Sequence, residues 1–193
     1  MDLQNPAITS DDLILFSRFC DDVSTKPQEM NISLRAYLKD YLLKQILGND
    51  YDSYMNSVDS YLNTSSRSDL NNIASITLNY PDLIDLNLRL SSNVTELYRG
   101  LNFSSKDDVE YQYILQNKTI DANGDYRFAS TSSNKGTAKK FAEGNGQGEG
   151  LVLTIQPGTI IYNTRIAGGV FGESEIIIDM QDSIVIDVEE IRP

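Results

Sequence analysis

Leu151-Val152-Leu153-Thr154-Ile155, Thr159-Ile160-Ile161-Tyr162, Glu175-Ile176-Ile177-Ile178-Asp179 and Ile184-Val185-Ile186-Asp187-Val188 fall within forty residues near the end of the chain. Each run is short, rich in Ile and Val and bounded by turn-forming or polar residues, so each reads as a strand. Working back from them, Tyr126–Ser130 and Thr95–Tyr98 read as further strands, with helices over Ser105–Gln116 and Ser133–Glu143 between them. Ahead of residue 91 the period changes. Leu34, Tyr37, Leu38, Tyr41, Leu42 and Ile46 recur at helical spacing after Ser33, and Gly48 supplies a stop. Met55, Val58 and Leu62 line one side of a helix over Tyr51–Leu62. More helix is expected from about Asp69, after the polar break Thr64–Ser68, and Pro81 opens another that ends before Ser91. A first helix follows the capping residues Thr9-Ser10-Asp11-Asp12. Helices first and strands afterwards predict an α+β chain, divided into a helical extension, 1–90, and a strand-dominated unit, 91–193.

Composition excludes several functions. The 193 residues carry 16 Lys+Arg against 28 Asp+Glu, a formal charge of −12. That balance argues against nucleic acid and against an anionic membrane surface as partners. The chain contains no His, which removes Ser-His-Asp and Cys-His catalysis and most zinc sites. Acid–base chemistry is left to carboxylates, Lys or Tyr. The one cysteine, Cys20, has no internal partner, and its apolar neighbours Leu15, Phe16 and Phe19 suggest a buried thiol. No run approaches the ~20 apolar residues of a membrane span, and the first residues lack the pattern of a cleavable signal. The expected place of action is the cytoplasm of a target or host cell, reached by a non-classical route or by synthesis there.

Two tempting motifs fail. Asp121-Ala122-Asn123-Gly124-Asp125 resembles a calcium loop, but its twelfth position is Ser132 where a bidentate Glu is needed. A turn is the better reading. Gly144-Asn145-Gly146-Gln147-Gly148-Glu149-Gly150 invites a dinucleotide-loop reading, yet a helix precedes it and a strand follows, the reverse of a Rossmann loop. It is a connector, or a loop whose backbone N–H groups approach phosphate. Five N-x-S/T sequons, one beginning at Asn102, are consistent with chance in so polar a chain.

Three other segments stand in a telling order. In Leu97-Tyr98-Arg99-Gly100-Leu101 a strand is expected to end in Arg then Gly. In Phe128-Ala129-Ser130-Thr131-Ser132 a strand ends in Ser-Thr-Ser ahead of a helix, where an N-cap is the ordinary role. Gly169-Val170-Phe171-Gly172-Glu173-Ser174-Glu175 runs into an apolar strand. Its Glu-x-Glu puts two carboxylates on one strand face, an arrangement that repels unless a cation meets it.

Taken together, these segments resemble the Arg / Ser-Thr-Ser / Glu-x-Glu signature of the mono-ADP-ribosyltransferases, the class of the binary actin-modifying toxins, related bacterial effectors and certain phage-encoded transferases. The resemblance covers about residues 94–188, with 31 residues from Arg99 to Ser130 and 43 more to Glu173. Phe141-Ala142 after the Ser-Thr-Ser helix and Phe171 before the first Glu add to it. It implies a two-sheet, sandwich-like catalytic core and NAD as substrate, with no metal. Arg99 would clamp the phosphates, since guanidinium offers a fixed fork of donors. Gly100 would hold the nicotinamide amide through its backbone, and Phe141 would pack near that ring. Ser130 would orient Glu175, which would bind the ribose and stabilise the oxocarbenium-like state. Glu173 would meet the acceptor; Glu at that position goes with arginine in the family. Phe171 and the loop before Glu173 would recognise the target protein, and Arg165 in that loop contacts the target or is a solvated charge. The implied activity is transfer of ADP-ribose to a protein arginine by a toxin, effector or phage protein, with an immunity or delivery protein as an expected further partner. An NAD glycohydrolase and an inactive relative acting as a binding module are the alternatives.

Overall fold

A computed structural model describes residues 40–91, 94–123, 126–144, 148–164 and 175–191. These residues divide into two compact units at residues 91–94. The expected helix after Thr9, the first part of the one after Ser33, Cys20 and Arg165 lie outside them.

In the first unit, residues 40–47 are helical and a short 3-10 turn, Gly48–Asp50, leads into α1 (Tyr51–Thr64). α2 (Arg67–Leu78) and α3 (Pro81–Leu90) follow. Each buries one stripe at three- and four-residue spacing: Tyr54, Val58 and Tyr61 on α1, Leu70, Ile73 and Ala74 on α2, Leu83, Leu86 and Leu90 on α3. α1 stops where Ser65 turns left-handed at φ 53° and its N–H bonds back to Tyr61 O. Pro81 opens α3, where its missing N–H costs nothing. The tyrosines of these helices differ in burial. Tyr54 and Tyr61 are buried, Tyr41 is exposed, and Tyr51 is half-buried with its hydroxyl on Asp40. Burial and that carboxylate push the Tyr51 phenol up to about 12.

The second unit runs β1 (Leu97–Phe103), α4 (Val109–Asn117), β2 (Phe128–Ser132), α5 (Lys135–Glu143), β3 (Glu149–Gln156), β4 (Ile160–Asn163), β5 (Glu175–Asp179) and β6 (Ile184–Ile191). The strands form one antiparallel sheet in the order β4-β5-β2-β1-β3-β6. The expected pair of sheets is therefore replaced, among the described residues, by a single one. Its two halves are joined thinly: β1 pairs with β3 along its whole length and β2 with β5, while β1 and β2 share only Tyr98↔Ser132.

Pairing also explains why β1 is longer than its composition suggests. Gly100 and Asn102 are poor strand formers, yet each lies opposite a β3 residue in an unbroken ladder. Arg99-Gly100 therefore sits within a strand and not at its end. α4 starts later than expected because Asp108 caps it, accepting from the N–H groups of Glu110 (2.9 Å) and Tyr111 (3.4 Å). Asn134 does the same for α5, accepting from Gly136 N at 2.8 Å.

The sheet is covered on both faces. Leu97 and Phe103 of β1 and Leu151, Leu153 and Ile155 of β3 pack with Tyr111 and Ile114 of α4 and with Ile176 and Ile178 of β5. Phe103 meets Tyr111 edge-on at 5.5 Å, and the Tyr111 hydroxyl donates to Glu190 at 2.9 Å. The opposite face holds Val152 against Ala138 and Ala142 of α5. There the sheet needs glycine. A Cβ on Gly100 would lie 1.9 Å from the Ala138 carbonyl oxygen, and one on Gly150 would lie 2.5 Å from that of Ala142. Gly100 lies opposite Val152 and Asn102 opposite Gly150, so the two glycines form one diagonal seat for the helix backbone.

Candidate active site

Glu175 is the first residue of β5 and lies opposite Ser132, while Ser130 lies opposite Ile177. Side chains two apart on a strand share a face, so Ser130 and Glu175 are diagonal neighbours on one side of the sheet. The Ser130 hydroxyl donates to Glu175 Oε1 at 2.5 Å, the short range expected when a hydroxyl meets a carboxylate. The backbone of Glu175 is held separately: its carbonyl accepts from the Thr164 hydroxyl at 3.2 Å.

Arg99 stands where β1 and β2 part. Past Tyr98↔Ser132 the two strands have no further register pair, and the Arg99 guanidinium crosses that opening to donate from Nη1 to the Ser130 carbonyl at 2.8 Å. Arg99, Ser130 and Glu175, from three successive strands of the sheet, are thus joined in one chain of hydrogen bonds. All three are half-buried, a position that favours a directed charge interaction without full desolvation.

The Ser-Thr-Ser run divides its work. Ser130 holds Glu175. Thr131 faces the buried side and donates to the Ile176 carbonyl at 2.5 Å, tying β2 to β5. Ser132 accepts from Asn134 N at 3.1 Å and so leads the chain into α5. The cap of that helix is Asn134, and Ser130 is left for the site.

Gly100 has its side-chain position filled by α5, so the demand for glycine arises from helix packing. Phe141 lies on α5 with 60% of its surface exposed. Phe171 and Glu173 lie outside the described residues, as do Gly124, Asp125 and residues 145–147 of the two rejected motifs. Asp121 nevertheless makes the tight turn expected there, its carboxylate accepting from Asn123 N at 3.0 Å.

Three residues near the site carried no signal in the sequence. Tyr126 donates to Glu110 Oε2 at 2.9 Å. Partial burial and then that carboxylate push its phenol above the ordinary 10.0, while the nearby Arg99 charge works the other way. Asn102 donates to the Ala142 carbonyl at 2.8 Å. Thr164 holds Glu175 from a segment far from the Ser-Thr-Ser run. These partners are 16, 40 and 11 residues apart, beyond any local pattern.

Among the described residues no group of His, Cys, Asp and Glu side chains is placed to hold a metal ion, and no helix is long and apolar enough to cross a membrane. No family model matches the chain, and neither a curated protein nor a solved structure matches it.

Proposed function

We propose that the chain is an arginine-directed mono-ADP-ribosyltransferase that uses NAD as substrate. The observation that carries the reading is the Arg99–Ser130–Glu175 connection, because the Ser130 hydroxyl gives one carboxylate a fixed direction while the Ser130 carbonyl holds the Arg99 guanidinium. A ribosyl cation is the species such a carboxylate can stabilise. As the bond between the ribose anomeric carbon and the nicotinamide nitrogen breaks, nicotinamide leaves with the electron pair and positive charge spreads onto the ribose. Glu175 meets that charge, and preorganised electrostatics of this kind contributes ~3–4 kcal/mol per key group. Arg99 meets the pyrophosphate. An acceptor guanidinium is held protonated by a pKa above about 12, so it needs a base as its nitrogen bonds the anomeric carbon. Glu173 takes that proton. The acceptor half of the reading rests on the sequence Glu173-Ser174-Glu175, and its setting would be a toxin, effector or phage protein acting on a host protein.

Incubation with labelled NAD and a cell lysate tests this directly. A labelled protein band that is sensitive to arginine-linkage cleavage, and absent with Glu175→Gln, is the expected result. Free ADP-ribose without a band would reassign the chain as an NAD glycohydrolase. Intact NAD would leave it a binding module.

A further inference from the structure

Asn102 of β1 reaches across to the end of α5 and the start of β3. Its amide donates to the Ala142 carbonyl at the last turn of α5. Its side chain also lies against both flanks of the segment that follows: Cβ positions built on Gly144 and Gly148 would each come within 3.1 Å of it. Both glycines have positive φ, 56° and 97°, so the chain turns there in a conformation that side chains rarely adopt. Gly148 is further confined by the Phe103 carbonyl, 2.2 Å from its Cβ position. One amide therefore fastens the end of α5 to the strand that carries Arg99, three residues away, and lies against the return into β3. Phe141 is the residue immediately before the fastened carbonyl.

We propose that Asn102 is a positioning residue for NAD, acting through the end of α5. The inference rests on the reading above, in which Phe141 meets the nicotinamide and Arg99 the phosphates. Asn102 fixes the distance between those two contacts and touches neither. Its loss should weaken NAD binding while leaving the cleavage step intact, because Ser130 and Glu175 are oriented by β2 and β5.

The test compares wild type, Asn102→Ala and Asn102→Asp. Aspartate keeps the shape but has no N–H to donate, so both variants should behave alike. Loss of one such hydrogen bond predicts a rise in the KM for NAD of roughly threefold to tenfold, with kcat within about twofold. Amide hydrogen exchange of the NAD-free proteins supplies an independent readout. Exchange should accelerate in residues 141–144 in both variants and stay unchanged in β2 and β5. Unchanged exchange in residues 141–144 overturns the fastening, whatever the enzyme assay gives. Accelerated exchange with an unchanged KM overturns the role toward NAD. A wild type that neither binds nor cleaves NAD overturns the proposed function, and the role of Asn102 toward NAD with it, while the exchange result still decides the fastening.

Discussion

Gly100→Ala should destabilise the strand-rich unit whether or not NAD is present. The added Cβ would meet the Ala138 carbonyl oxygen at 1.9 Å and the Ala142 nitrogen at 2.7 Å. A comfortable carbon–oxygen contact is about 3.2 Å or more, so α5 must retreat from the sheet by about 1 Å. Both colliding atoms are backbone, and no rotamer change relieves them. Two effects compete. Replacing glycine in a strand gains roughly 0.5–1 kcal/mol by restricting the unfolded chain. Overpacking against an unyielding neighbour costs about 1–3 kcal/mol, and here the retreat also strains the Asn102–Ala142 hydrogen bond. The cost prevails, with a net loss on the order of 2 kcal/mol. For a unit of this size that lowers the melting temperature by about 10 °C. Calorimetry of the NAD-free protein checks it, alongside urea unfolding by circular dichroism. Gly150→Ala strikes the same helix from the neighbouring strand, so the double variant should lose less than the two singles added together. Ala138→Gly should give no rescue, because it leaves the colliding carbonyl in place. A Gly100→Ala protein that melts with the wild type would refute the packing argument and return the glycine requirement to the ligand.

Ser130→Ala removes the hydroxyl that directs Glu175; hydrogen bonds to charged groups are worth about 1.5–3 kcal/mol, so kcat for NAD cleavage should fall roughly tenfold to a hundredfold with a smaller change in KM. Glu173→Gln should lose transfer to arginine while keeping NAD hydrolysis, measured as free ADP-ribose; equal loss of both would remove the division of roles between the two glutamates. Glu189 accepts from Lys135 at 2.8 Å and Lys139 at 2.7 Å, and these bonds hold its carboxyl below the ordinary 4.5. A lowered folded pKa means its stabilisation is complete above 4.5 and fades as pH falls through the folded value. Because the three side chains are more than a third exposed to solvent, the contribution is no more than about 0.5 kcal/mol. Glu189→Gln should therefore lower the urea midpoint slightly at pH 7, and the difference from wild type should vanish in strong acid and shrink in 1 M salt.

The sequence by itself determined the elements and their order. Apolar stripes at helical spacing and short β-branched runs are local signals, and they located α1, α3, β5 and most of the remaining strands to within a few residues. Chemistry-bearing residue types were legible for the same reason. Arg99, Ser130 and Glu175 stood out by type and order, and the absence of histidine removed whole classes of mechanism. What pairs with what was not legible. The length of β1 depends on β3, some fifty residues later, because a ladder of backbone hydrogen bonds overrides the weak strand preference of Gly100 and Asn102. Among the described residues the expectation of two sheets gave way to one sheet with a single pair at its middle, a matter of register that no local pattern encodes. Gly100 looked like a ligand-binding glycine, and only the approach of α5 revealed what fills the space beside it. The hydrogen bonds from Arg99 to Ser130 and from Ser130 to Glu175 span 31 and 45 residues. Contacts over such distances exist only once the strands lie side by side, so the residues of the candidate site were readable in the sequence by type and order, and their geometry belonged to the fold.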